Sequence, residues 1–390
     1  MARIIQEISS AGFGGLEMVV QDFHAWLIEN GHDALVLVQE GAPLHSSLIA
    51  SGFSDSVISI SKKTKTGTVR KMLHQELDSK DTAFLFHRHR ALKALAWSGL
   101  KAKTSMISHT FYKSKKRDFW HRYLFSKVDC WIALTPLHQK NMNEMLGLAS
   151  NLMTIIPNGV NLNKFRAPVI LPEDKNEFHI GILARLDHQK GQEIAVRALA
   201  LLKTKTQKKI YLHLFGDDTP GEVSIRPQLK ALVEKSGLQS EVIFEGFKYE
   251  VQEILPQMDF LWLPSLRETF GRCVIEAMAC GVAVVGSNAG GVPDIIEHKV
   301  NGMLFETMNA QDLMKQTLFL IEEPEARKNI REKALKDVRA HYDMNEVFTR
   351  LLHAILPDHV QSQKFSFETR KKTGLQVPHL FKNEASFEKG

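Results

Sequence analysis

Short apolar runs alternate with amphipathic stretches along most of this 390-residue chain, and they do so in two successive series. The first series has runs at 4–8, 34–38, 57–60, 83–86, 105–107 and 130–134; the second follows a polar stretch at 172–177 and has runs at 178–184, 210–215, 242–244, 260–263 and 283–285. Continuous apolar runs suit strands covered on both faces, which belong to parallel sheets flanked by helices. Between the first two runs, Leu16, Val19, Val20, Phe23, Trp26 and Leu27 recur at helical spacing, and Gly31 ends that helix. The length is also too great for one ordinary core. The expected fold is α/β, with two doubly wound, Rossmann-like parallel-sheet domains at 1–165 and 166–340. A helix at 341–358 is expected to pack back toward the first domain, and 359–390 reads as a basic, flexible tail whose phenylalanines leave room for a membrane or partner contact. Open sheets bind ligands beyond the carboxyl ends of their strands, so two facing domains enclose a cleft for two substrates.

No apolar run reaches the roughly 18 residues that a membrane span needs. Residues 1–7 lack the apolar core and small-residue cleavage site of a signal peptide. Cys130, Cys273 and Cys280 are too few and too scattered for a disulfide framework or zinc site, and are expected to be buried apolar residues in a reducing compartment. The expected location is the cytoplasm. Net charge is only +6, but two segments are one-sided: Lys62, Lys63, Lys65, Arg70 and Lys71, and Lys113, Lys115, Lys116 and Arg117 ahead of Phe119 and Trp120. They read either as solvated loops or as a docking surface for an anionic acceptor or the anionic inner face of a membrane. No nucleic-acid partner is expected.

The most informative stretch is PSLRETFGRCVIEAMACG at 264–281, which follows a strand and places Glu268 and Glu276 eight positions apart. Gly271 permits a tight turn, and a helix starting at Arg272 presents free amides at its amino end, an anion site. Glu268 then lies over that end and Glu276 within the helix, about 12 Å apart at most by helical rise, a reach that suits one extended ligand with hydroxyls at both ends and phosphates between. In GILARLDHQKG, 181–191, Arg185 follows a strand and Lys190 opens a helix. Two cations there can neutralise a diphosphate leaving group as charge develops. The bland alternative is a pair of surface cations.

With these motifs the chain resembles glycosyltransferase family 4, whose members have the GT-B fold, over most of residues 4–321. The resemblance implies that Glu268 holds hydroxyls of the transferred sugar, that Glu276 binds the nucleotide ribose, and that Arg185 and Lys190 clasp the donor pyrophosphate. It also implies that backbone amides at Phe270 and Gly271 approach the phosphates, and that Gly246 and Phe247 lie near the nucleobase. Gly290 and Gly291 match a loop beside the donor. Where Arg272 stands the family usually has an apolar residue. In the first domain, Gly14 and Gly15 of SAGFGGLE match paired glycines facing the donor, and His109 of MISHTFY matches a histidine that contacts the transferred sugar. A tight turn and a hydrogen-bonded structural histidine are the competing readings of those two motifs. His87, His89 and Arg90 are acceptor-side candidates.

The catalytic set implied is therefore Glu268, His109, Arg185 and Lys190, with no metal and no cofactor. No Asp-x-Asp motif occurs, and the adjacent Asp217 and Asp218 cannot supply its geometry. The implied function is a retaining transfer of a hexose-type sugar from a nucleotide diphosphate sugar, a UDP-sugar favoured, to a saccharide or glycolipid acceptor in lipopolysaccharide or surface-polysaccharide assembly. The alternatives are another GT-B enzyme, such as a nucleotide-sugar epimerase or inverting transferase, and a non-catalytic nucleotide-sugar-binding protein. A nicotinamide-dependent dehydrogenase is disfavoured because SAGFGGLE lacks the GxGxxG spacing.

Overall fold

The structure is a computed structural model that describes residues 3–10, 12–61, 82–88, 92–95, 102–168, 175–218 and 223–356. Two all-parallel sheets organise it. The first contains β1 (Arg3–Ile8), β2 (Asp33–Gln39), β3 (Val57–Ile60), β4 (Thr82–Phe86), β5 (Lys103–Ile107), β6 (Cys130–Ala133) and β7 (Met153–Ile155), in the order β3-β2-β1-β4-β5-β6-β7. The second contains β8 (Glu177–Leu183), β9 (Lys209–Phe215), β10 (Val242–Gly246), β11 (Phe260–Leu263), β12 (Ala283–Ser287) and β13 (Met303–Phe305), in the order β10-β9-β8-β11-β12-β13. Strands β4, β11 and β12 are buried at every residue, as continuous apolar runs require. The edge strands β7 and β13 add one member to each sheet beyond the runs seen in the sequence, because three residues are too short to show a period.

The helix Gly15–Glu29 follows β1 and buries Val19, Val20, Phe23, Trp26 and Leu27. Asp343 caps a last helix, Met344–Ile355, accepting from the Asn345 amide, and Val347, Phe348, Leu351, Leu352 and Ile355 form its buried face. That face packs on the first half: the Phe23 and Phe348 rings are 5.0 Å apart, and Trp26 Nε1 donates to Asn345 Oδ1 at 3.0 Å. Burying a side chain like Phe348 stabilises the contact by about 2 kcal/mol. Beside it, Val160 and Asp343 form an isolated parallel bridge, with Val160 N donating to Tyr342 O and Met344 N to Val160 O. The chain therefore passes between the halves twice at one place.

Only Cys280 is buried. Cys130 and Cys273 are half-buried, which corrects the expectation for two of the three cysteines. Cys130 begins β6, next to an edge strand, and Cys273 lies in the first helical turn after Gly271, beside charged side chains. Among the described residues no helix is long and apolar enough to cross a membrane. His89, Arg90, the first basic segment at 62–71 and the tail at 359–390 lie outside the described residues.

Candidate active site

Strand order reverses between β1 and β4 in the first sheet and between β8 and β11 in the second. Such switch points leave a crevice at the carboxyl ends of the strands. Arg185 and Lys190 leave the second sheet after β8, and Glu268 after β11. Lys190 does not open a helix as expected. It ends a short 3-10 turn, His188–Lys190, and Gly191 caps the helix Gln192–Lys203.

This displacement brings the ammonium of Lys190 to 2.8 Å from Glu268 Oε2. Burial opposes the Lys190 charge, but the Glu268 carboxylate and its hydrogen bond outweigh burial and hold the pKa above that of an ordinary lysine; Arg185 is close enough to oppose them. Glycines fix the loops. A methyl on Gly191 would lie 2.1 Å from Pro264 O, and one on Gly290 1.9 Å from Glu268 O, both in left-handed backbone. Gly291 N donates to Glu268 O at 2.8 Å, and Leu266 N to Gln189 O at 2.8 Å. Gly290 and Gly291 therefore support the backbone that carries Glu268.

Gly271, at φ +87°, caps the helix Arg272–Ala279 without any side-chain hydrogen bond, so the first-turn amides have no side-chain cap. Glu276 is buried in this helix, and its Oε1 accepts from Arg272 Nε at 2.7 Å. Burial raises the Glu276 pKa, Arg272 pulls it down and Asp22 pushes it up, leaving it raised. Burial, with Glu268 and Glu276 nearby, pushes the Cys273 thiol up to about 12, so it stays protonated. Phe270 is buried just before the turn. Farther along the sheet, Phe247 N donates to Asp217 Oδ2 at 2.9 Å after Gly246, and Arg226 binds both Asp217 and Asp218. The Phe247 ring meets Tyr249 edge-on at 4.7 Å, and Tyr249 touches Phe13 of the first half at 6.1 Å.

The first sheet presents rings instead. His87 Nδ1 lies 3.0 Å from His109 Nε2, and His87 Nε2 lies 3.1 Å from Gln6 Oε1. Burial, reinforced by neighbouring histidine and arginine charge, pushes His109 down to about 3, and His87 falls well below the usual histidine value. Both are neutral. Gln6 Nε2 donates to Val20 O, so its Oε1 accepts; His87 Nε2 must donate to it and His87 Nδ1 must accept from His109 Nε2. This chain leaves His109 Nδ1 as an acceptor. His138, which the motifs did not single out, accepts from Leu134 N through Nδ1 and donates through Nε2 to Thr110 O, with Thr135 capping its helix. The Thr135-Pro136 pair is a helix start that would have placed it. At Gly12 and Gly15 a side chain would meet nothing within 4 Å, and at Gly14 only Glu17 Oε2 at 3.7 Å. Packing among the described residues therefore does not call for glycine there.

Two family models divide the chain: Glycosyltransferase Family 4 matches residues 13–164 and Glycosyl transferases group 1 matches 163–337. The chain belongs to glycosyltransferase family 4. A relative from Campylobacter jejuni, an N,N'-diacetylbacillosaminyl-diphospho-undecaprenol alpha-1,3-N-acetylgalactosaminyltransferase, is 27% identical to this chain over 270 residues, 65% of each chain. A lipopolysaccharide core mannosyltransferase from Rhizobium leguminosarum is 29% identical over 196 residues, 48% of this chain and 55% of the relative. The matched stretches thus span about half to two thirds of the length of these curated relatives. The crystal structure of Anabaena HepE with UDP superposes with a TM-score of 0.77 at 22% identity, covering 90% of this chain and 99% of that one. The fold is GT-B.

Three contacts between the halves carry no signal in the sequence motifs. Asp22 Oδ2 accepts from Arg272 Nη2 at 2.5 Å, Arg267 stacks over Phe111 at 4.9 Å, and Leu137 N donates to Asp294 Oδ2 at 3.3 Å. No local signal points to a partner 250 residues away. In the remaining basic run, Arg117 is tied to Asn143 O, while the helix Phe119–Phe125 leaves Phe119 85% and Trp120 39% exposed.

Proposed function

We propose that this glycosyltransferase moves a hexose-type sugar from a UDP-sugar to a saccharide or glycolipid acceptor with retention of anomeric configuration and without a metal ion. The observation that carries the reading is the meeting of Lys190, Glu268 and the start of the helix Arg272–Ala279 at the second sheet's switch point. A diphosphate there faces Arg185, Lys190 and the amides after Phe270 and Gly271, and the Glu276 carboxylate takes the ribose hydroxyls. Gly246 and Phe247 flank the base. Glu268 orients the sugar, and His109 Nδ1 accepts from one of its hydroxyls. The bond from C1 to the phosphate oxygen breaks, the acceptor oxygen bonds C1 on the same face, and the acceptor proton passes to the departing phosphate. Residues 166–340 hold the donor in this reading, with Gly14 and Gly15 facing it from the first domain, and the rest of 1–165, with His87, serves the acceptor.

Three similarities support the finer points. The Anabaena structure holds UDP, the Campylobacter relative forms an alpha linkage to a diphospho-undecaprenol-linked sugar, and the Rhizobium relative builds lipopolysaccharide core. They favour a lipid-linked acceptor in lipopolysaccharide or surface-polysaccharide assembly. Exposed Phe119 and Trp120 beside Lys113, Lys115 and Lys116 suit a peripheral contact with the inner face of an anionic membrane. The test is a nucleotide-sugar panel scored for binding and slow hydrolysis in the presence of a chelator, followed by NMR of the product's anomeric centre. A UDP-sugar consumed with retention is expected; inversion, a strict metal requirement or binding without turnover overturns the reading.

A further inference from the structure

Arg272 stands where the two halves meet, and its guanidinium is divided between them. Nε donates to Glu276 Oε1 at 2.7 Å, one helical turn along the same helix, while Nη2 donates to Asp22 Oδ2 at 2.5 Å on the helix Gly15–Glu29. Its side chain is only 11% exposed, and Nη1 has no hydrogen-bond partner among the described residues.

The chemistry of arginine makes this division consequential. Nε–H and Nη2–H point the same way and form the fork that grips both oxygens of one carboxylate. Asp22 takes the Nη2 arm here, so Glu276 is held by one arm on Oε1 alone, and Oε2 makes no hydrogen bond among the described residues. Without Asp22 alongside, the same fork can close on Glu276 and occupy both oxygens. Asp22 and Arg272 lie on different halves, which the Arg267–Phe111 and Phe13–Tyr249 contacts also join, so Asp22 reaches Arg272 only when the halves are together.

We propose that Asp22 and Arg272 are positioning residues that make Glu276 available to the donor's ribose only when the two halves are in contact. Asp22 draws one arm of the guanidinium away from Glu276 and leaves Oε2 to accept a ribose hydroxyl; separation returns the arm and blocks the carboxylate. The inference rests on the reading of Glu276 as the ribose ligand, and it gives Arg272, in place of the family's usual apolar residue, a purpose of its own.

The experiment measures, by calorimetry on the full chain, affinity for whichever of uridine, guanosine and adenosine diphosphate the wild type binds best, and for its 2′-deoxy and 3′-deoxy forms. The wild type should prefer the ribonucleotide to at least one deoxy form by about 10-fold, the scale of a charge-assisted hydrogen bond. In Asp22→Ala, ribonucleotide affinity should fall about 10-fold while deoxy affinity stays within about twofold, so the preference disappears. Because the effect runs through Arg272, Asp22→Ala should weaken binding little further in an Arg272→Leu background, a non-additivity that a general loss of stability does not produce. Failure of the wild type to bind any of the three, or to discriminate against either deoxy form, overturns the Glu276 assignment and this inference with it. Discrimination intact in Asp22→Ala overturns this inference alone. If Arg272→Leu does not fold, the two Asp22→Ala affinities still decide.

Discussion

Both sheets reverse strand order beside the strand that comes first in sequence and send loops out from the same ends, but they present different chemistry there. At the second sheet the groups are charged and paired, Lys190 with Glu268 and Arg272 with Glu276. At the first they are neutral rings, with His87 against His109 and His138 bonded to backbone on both nitrogens. One scaffold can therefore serve two tasks: fixed charge holds a leaving diphosphate, and oriented neutral acceptors and donors hold sugar hydroxyls, which carry no charge to neutralise. The charged side was also easier to read, because its residues sit in short motifs with glycines at fixed offsets.

The sharpest way to break this contrast is at Glu268. Glu268→Gln keeps the shape but removes the charge, and transfer measured by steady-state kinetics should fall about 10³-fold with an unchanged melting temperature. Lys190→Ala should lower kcat/KM for the donor about 10²-fold and weaken nucleoside diphosphate binding in the same assay series. His109→Ala should cost only about 10-fold in turnover and leave nucleoside diphosphate affinity unchanged; a large loss of diphosphate binding in that variant would end the proposed division of labour.

Acid should also separate the halves. His24 and His138 are pushed down to about 4 and His109 to about 3, each chiefly by burial, with His87 lower than usual too. The unfolded chain takes up protons near pH 6.5 while the folded one does not, so their contribution is complete above 6.5 and is lost as pH falls toward 4 and then 3, at up to about 1.4 kcal/mol per pH unit for each group. Glu7, which burial raises from 4.5 to about 7, acts in the opposite sense between those values, one group against four. Hydrogen exchange followed by mass spectrometry from pH 7 to 4 should show the first half opening before the second. The smallest effect expected is at Trp120. Trp120→Ser should weaken binding to anionic vesicles about threefold and leave soluble-acceptor turnover unchanged.

Strands covered on both faces were legible because nothing polar interrupts them, as in residues 260–263 and 283–285. The edge strands β7 and β13 were not, for want of length. Glu268 and Lys190 could each be placed from their own neighbours, although their contact spans 78 residues. Asp22 could not, since on its helix it is an unremarkable polar position until the other half supplies Arg272. His109 was legible as a strand-end residue, but its tautomer depends on Gln6 and His87, which only the folded sheet brings together.

The bridge between Val160 and Asp343 has a mechanical consequence. Two covalent crossings lying side by side define a line, much as paired pins define the axis of a door, so the easiest relative motion is rotation about that line, with translation and twist opposed by both crossings. Side chains near the axis hardly move in such a swing, whereas those at the far rim sweep the greatest arc.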